Sequence, residues 1–172
     1  MELVIPGLIL VALMVYTSTK IKKNAARAYE NESIETEEFS ITKPNGFLHP
    51  LNDDSDYLFE AYTKEFGEDH AGQCRQASAE VLVFDYANFD EQRDEICREA
   101  LSVIFEKTDE DGRGKTLIME VELEEKGIFL NSFFKVIARH NKIYRLRISV
   151  IAEYKAVYLD RINEMLESFE IK

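Results

Sequence analysis

Residues 3–19, LVIPGLILVALMVYTST, form a run without one charged side chain, and Lys20, Lys22, Lys23 and Arg27 follow at once. Such a stretch is close to the roughly 20 apolar residues that a bilayer-spanning helix needs. Pro6 and Gly7 sit in its first third, where a membrane helix tolerates them better than a soluble one does. The run has no polar stripe, so it does not read as a helix packed by one face on a core. A cleaved signal peptide would carry its cations before the apolar run. Here they come after it, and the Ala26-Arg27-Ala28 triplet that fits a cleavage pattern lies beyond three lysines. The sequence therefore predicts a single N-terminal transmembrane helix, with residues 1–28 as anchor and basic collar. Positive charge stays on the cytoplasmic side. The N-terminus is expected outside and the remainder cytoplasmic, with Lys20, Lys22, Lys23 and Arg27 at the lipid headgroups.

Charge bounds the partners of the rest. The 172 residues carry a net charge of −12. Residues 1–27 hold four of the 21 basic residues and one of the 33 acids, so the body from Ala28 on bears 17 basic against 32 acidic residues, a net −15. Such a body repels nucleic-acid phosphates, which need clustered Lys and Arg. It also repels an anionic leaflet, leaving only the collar to meet lipid. Hydrophobic content of 45% with three prolines argues for one ordinary packed domain rather than disorder. Cys74 and Cys97 form no C-x-x-C pair and have no His at ligand spacing, which argues against zinc.

An acidic stretch, residues 29–36, reads as an exposed linker, and residues 37–172 as a single α+β domain. Phe39 and Ile41 point one way on a short first strand near Glu37–Thr42, and Lys43-Pro44-Asn45-Gly46 has the chemistry of a turn. Leu58, Tyr62 and Phe66 recur at helical spacing between the capping candidates Asn52–Ser55 and Gly67, which predicts a helix. Phe59, Ala61 and Thr63 also alternate, so a strand is the alternative. Residues 67–76 read as a polar loop. Ala79–Tyr86 reads as a strand buried on both faces. Asn88 with Glu91 resembles a capping box for a helix to about Lys107, with Arg93, Ile96, Cys97, Ala100, Leu101, Ile104 and Phe105 on one stripe. A polar loop is expected at 109–115. Leu117, Met119, Val121 and Leu123 then alternate with Ile118, Glu120, Glu122 and Glu124, a strand with one wet edge of acids. Two more strands follow at Ile128–Arg139 and Ile143–Ile151, with tight turns at Glu125-Lys126-Gly127 and His140-Asn141. A helix from about Glu153 closes the pattern, with Tyr154, Tyr158, Ile162, Met165, Leu166 and Phe169 on one face. The fold class is α+β, an antiparallel sheet flanked by helices.

No motif carries chemistry convincingly. Gly112-Arg113-Gly114-Lys115-Thr116 resembles a phosphate loop, but the first required glycine is Asp109, and helix and strand stand in the wrong order. Asp109, Asp111, Gly114 and Glu120 fall at calcium-loop positions, with Arg113 where a ligand oxygen belongs. His49, His70 and His140 sit in expected loops, far apart and away from any nucleophile. Asp53, Asp54 and Asp56 read as helix caps, and Phe59, Tyr62 and Phe66 as core. No catalytic, cofactor-binding or metal-binding residue is assigned.

The opening EEFSITKPNGF, the strand residues Ile143-Tyr144-Arg145-Leu146 and the closing Leu159–Phe169 helix with its Glu167-Ser168-Phe169-Glu170-Ile171 end are similar to the PsbP-like α/β/α sandwich group. That resemblance covers the first and last parts of residues 37–172. It implies a non-enzymatic binding or assembly protein. This chain has no lipid-attachment Cys after its apolar run, and no metal or partner site of the group matches residue by residue. The expected function is a membrane-anchored, non-enzymatic domain that binds a protein partner or assists a membrane complex. A small-ligand-binding or enzymatic domain with a pocket between sheet and helices is the alternative.

Overall fold

A computed structural model describes residues 4–50, 57–63, 75–85, 88–111 and 114–172, with side chains from residue 13 on except those of residues 24 and 111. Helix α1, Val4–Ala28, is about 37 Å long at 1.5 Å per residue. Leu13, Met14, Val15, Tyr16 and Ile21 are exposed on it. Among the described residues no helix is long and apolar enough to cross a membrane. The most apolar part of the run, residues 3–12, lies outside the described side chains.

The acidic stretch expected as an exposed link contains strand β1, Glu32–Glu35, whose side chains are mostly exposed. Its backbone is paired antiparallel with β2, Phe39–Lys43. Phe39 and Ile41 are buried as their alternation predicts, and Lys43 is buried with them. A lysine can sit inward here because its three donors find three acceptors. Lys43 Nζ donates to the carbonyls of Ala28 (3.0 Å), Glu30 (2.5 Å) and Phe47 (3.2 Å). Ala28 is the last residue of α1, so this ammonium caps the negative end of that helix. Gly46 N donates to Tyr29 O, and Asn31 N to Asn45 Oδ1, across the same junction. The turn that brings Phe47 round needs positive φ at Gly46, which is at +89°.

Residues 57–63, the described part of the expected helix, do not form one, and residues 64–66 lie outside the described residues. Strand β3, Phe59–Tyr62, buries Phe59 and Ala61 and exposes the alternate positions more. Period two wins because these residues pair with β4, Ala77–Asp85, at Phe59↔Val81 and Ala61↔Ala79. β4 itself alternates buried and half-buried positions rather than being buried on both faces. Helix α2, Phe89–Glu99, starts at Asn88, whose side chain accepts from Asp90 N. It ends eight residues before the expected limit, because Ala100 turns to extended backbone (φ −73°, ψ 137°). Ser102–Asp111 then forms strand β5. Of the expected 109–115 loop, residues 109–111 belong to β5 and 114–115 to β6, Gly114–Glu125, while 112 and 113 lie outside the described residues. A Cβ on Gly114 would lie 2.2 Å from Ala138 O, so the strands approach there as only glycine allows.

The last third follows its pattern closely. β6, β7 (Ile128–Arg139) and β8 (Lys142–Ile151) are antiparallel. Their turns hold Lys126, Gly127, His140 and Asn141 at positive φ, the signature of two-residue hairpins. A 3-10 turn, Ala152–Tyr154, leads into α3, Lys155–Ser168. Tyr158, Ile162, Met165 and the capping Phe169 are buried. The two-residue β9, Glu170–Ile171, pairs with β2.

The large sheet runs β3-β4-β8-β7-β6-β5 and the small one β1-β2-β9. One core lies between the large sheet and a layer made of α3 and the small sheet, around Phe39, Phe47, Ile148, Ile162 and Phe169. The other lies beneath α2, around Ile96, Met119, Val121, Phe134 and Val136. Helix, sheet and helix thus stack as an antiparallel α+β sandwich.

Candidate interaction surface

Among the described strands, the last one of the large sheet exposes the most large apolar side chains. Ser-Val-Ile-Phe opens β5, and β-branched and aromatic residues favour a pleated strand. β6 offers a complete partner edge, so the segment pairs with it from Ser102↔Glu122 to Asp111↔Gly114. The register shifts between Val103 and Phe105, leaving Ile104 as an extra residue in a bulge. Among the described residues, β5 has β6 on one side and ends the sheet on the other. Residues 101–110 are all exposed. Leu101 stands at 59%, Val103 at 44%, Ile104 at 47% and Phe105 at 48% exposure. Four large apolar groups within five residues are open along this strand edge, Val103 on the α2 face of the sheet and Phe105 on the α3 face, and an unguarded apolar edge of that kind marks an interaction site.

This edge is held firmly from behind. Arg93 of α2 grips Glu106 of β5 with two bonds, Nε to Oε1 at 2.5 Å and Nη2 to Oε2 at 3.1 Å. That fork holds the Glu106 carboxyl below the usual carboxylate range. Ser102 Oγ donates to Glu122 Oε2 at 2.7 Å. Register places Phe105, Glu120 and Phe133 in one row on the α3 side of the sheet. Glu120 takes an ion pair from Lys155 at the start of α3.

Two other places were weighed for chemistry. On the α2 side of β4 and β8, Arg147 lies between Glu80 and Glu125 and also donates to Ser149 Oγ. Burial pushes the Glu80 carboxyl up against the pull of Arg147, and the charge of Glu80 in turn pushes the Tyr57 hydroxyl up. Arg145 bonds Gln92 and pairs with Glu95, with its guanidinium 4.8 Å from the centre of the Phe84 ring. These charges answer one another, and among the described residues no histidine stands beside the Ser149 or Tyr57 hydroxyl to act as a base. The second place is a groove of about 320 Å3 between the hairpin and the end of α3, with Thr116, Lys135, Arg139 and Glu170 in its wall. Its two cations already serve backbone carbonyls: Lys135 those of Leu166 (2.6 Å) and Phe169 (2.8 Å), Arg139 that of Ile171. Burial pushes the Lys135 ammonium down, while Glu170 and Glu167 pull it back up.

Among the described residues, the sequence candidates are not gathered into a site. His49 donates from Nδ1 to Glu60 O at 2.6 Å and stacks on Phe59. His140 is an exposed turn residue, and His70 lies outside the described residues, as do Cys74, Phe66, Asp53, Asp54 and Asp56. Phe59 is core, whereas Tyr62 points to the other sheet face and meets Arg75 at 4.4 Å. Cys97 packs against the core beneath α2. Gly114–Glu120 is strand, not phosphate or calcium loop; residues 112 and 113 lie outside the described residues. Lys20, Lys22, Lys23 and Arg27 are exposed along α1. Sequence reasoning missed β5 altogether, although Val103-Ile104-Phe105 is the densest apolar triplet between α2 and β6.

No protein-family model matches the sequence, and no curated protein matches it. Solved structures do share the fold. Cyanobacterial PsbP from Synechocystis superposes with a TM-score of 0.55 at 8% identity, over 84% of this chain and 94% of that one. The Ran-binding protein Mog1p of Saccharomyces cerevisiae gives 0.53 at 13% identity, over 83% and 96%. LpqN of Mycobacterium tuberculosis, involved in cell envelope biogenesis, gives 0.51 at 8%, over 83% and 91%. The resemblance read from EEFSITKPNGF and the C-terminal strand and helix is thereby upheld: the chain has the fold of PsbP and Mog1.

Proposed function

We propose that this chain is a membrane-anchored, non-enzymatic domain that binds a protein partner through the β5 edge. The observation that carries the reading is the exposed run Leu101–Phe105 on a strand that ends the sheet. Two neighbours in fold are compatible with it in kind: Mog1p is a Ran-binding protein and LpqN is involved in cell envelope biogenesis, so the fold is not tied to one chemistry. Anchoring rests on α1, whose described apolar side chains are exposed and whose collar of Lys20, Lys22, Lys23 and Arg27 follows them. The collar sets the orientation, N-terminus outside and domain cytoplasmic.

Partner binding is tested by co-purification from native membranes in mild detergent. A protein retained by the wild type and by Val157→Glu, but lost with Phe105→Glu, is the expected result; equal retention by both variants refutes the site. Anchoring is tested by alkaline carbonate extraction, which should leave the chain in the pellet. Orientation is tested with a membrane-impermeant thiol reagent in a Cys97→Ala background. Cys74 should react only after lysis, and labelling in intact cells reverses the topology.

A further inference from the structure

The edge of β5 has two halves of different chemistry. Leu101, Val103, Ile104 and Phe105 are apolar and exposed. From residue 106 on, the strand carries Glu106, Asp109, Glu110 and Asp111 against Lys107 alone. Glu106 is committed to Arg93. Asp109 is paired at 2.6 Å with Lys107, and both groups are exposed. Edge strands are commonly guarded by proline or lysine. The apolar half of this one has neither, only the bulge at Ile104.

Resting on the partner-binding reading above, we propose that β5 receives its partner as an added β-strand. The occupant is an extended protein segment, antiparallel to β5, with Lys or Arg in its first half and consecutive Val, Ile, Leu or Phe in its second, because the bulge turns Phe105 to one sheet face and Val103 to the other. Antiparallel addition continues the pattern of every pair in the large sheet. It also fixes the order of the segment. The incoming first residues lie opposite Asp109 and Glu110, and the later ones opposite Phe105, Val103 and Leu101. Main-chain hydrogen bonds supply affinity in this mode, and the alternate side chains supply selection. Opposite charges and apolar pairs facing across the new ladder each favour this register, and like charges oppose the reverse one. A second copy of this chain is the poorer occupant. β5 laid antiparallel on itself sets its acidic half against its apolar half, so neither half meets its complement.

The test uses the full-length protein in phosphatidylcholine nanodiscs, with empty discs as blank, and two labelled ten-residue peptides. One has three Lys or Arg in its first four positions, then a continuous run of Val, Ile and Phe. The other has the same composition in reversed order. Fluorescence anisotropy should show saturable binding of the first at least tenfold tighter than of the second. It should weaken at least tenfold with Phe105→Glu and weaken again as salt is raised. Amide exchange should slow along 102–110 when the peptide binds, because new ladder bonds form. Binding without that slowing, or equal binding of both orders, overturns strand addition. The partner face itself then still stands or falls by the Phe105→Glu co-purification. Failure of both peptides to bind overturns the proposed chemistry. A doubling of mass by light scattering that Phe105→Glu abolishes makes a second copy the occupant and overturns it too.

Discussion

Replacing Lys43 by Met keeps the buried stem and removes the ammonium, which isolates what the charge contributes. Three carbonyls lose their donor: Ala28 O, Glu30 O and Phe47 O. Glu30 is exposed and Ala28 half-buried, so water can reach their oxygens, whereas Phe47 is wholly buried. An orphaned buried acceptor costs about 1–3 kcal/mol, and the two rehydrated carbonyls lose the smaller net value of a bond to a charged group. Against this, Met relieves the desolvation of the ammonium, itself several kcal/mol. The balance is a net destabilisation of about 2–4 kcal/mol, smaller than the sum of three charged bonds. For a chain of this size that is a fall in Tm of roughly 4–16 °C. Far-UV circular dichroism in nanodiscs reads it, since the chain has no tryptophan. Amide exchange at Gly46, whose N–H is bonded to Tyr29 O, should accelerate in the same variant. A loss under about 0.5 kcal/mol, the scatter expected of an inert substitution, would mean that Lys43 only fills space and that α1 is not capped through it.

Deleting residues 1–27 should leave a soluble domain that unfolds cooperatively, because Ala28 and all three acceptors of Lys43 remain; loss of a cooperative urea transition would place α1 within the core. Phe169→Ala should cost about 3–5 kcal/mol, since its ring is fully buried and meets Phe39 edge-on at 5.8 Å; Glu167→Ala on the exposed face should stay within about 0.5 kcal/mol by the same melts. Glu80→Gln tests a pH dependence. Its folded carboxyl is raised above the unfolded one, so its contribution is fully present below the unfolded value and lost as pH rises through the folded one. Wild type should therefore gain stability relative to Glu80→Gln between pH 7 and pH 5, and a relative loss on acidification would mean that Arg147, not burial, dominates. Gly114→Ala should lower Tm, since its Cβ would strike Ala138 O; an unchanged Tm would show that the hairpin shifts freely.

Legibility tracked how completely one face of each element is buried. β6, β7 and β8 were readable because the alternation of Met119, Val121 and Leu123 with Glu120 and Glu122 and two tight turns allow one register. β3 was not, because Leu58, Tyr62 and Phe66 satisfy a helical period while Phe59, Ala61 and Thr63 satisfy a strand, and only β4 decides between them. β5 was missed for the same reason: Leu101, Ile104 and Phe105 continue the α2 stripe, and pairing with β6 overrides that local preference. The candidate surface was illegible on principle, since whether Phe105 is covered depends on which strand ends the sheet. Lys43 was equally hidden, because a lysine beside a Pro-Asn-Gly turn reads as solvated until three carbonyls are found around it.

The pairing of β2 with β9 has a consequence for biosynthesis. Phe39 and Ile171 are register partners, so the small sheet closes only after the whole intervening tract has been translated. At about 5–20 residues per second, that interval is on the order of ten seconds. During it Phe39 and Ile41 have neither α3 nor β9 above them, and the nascent chain exposes a sticky ribbon. Slowing translation late in the message should therefore lengthen the window for aggregation, and slowing it before β2 should not.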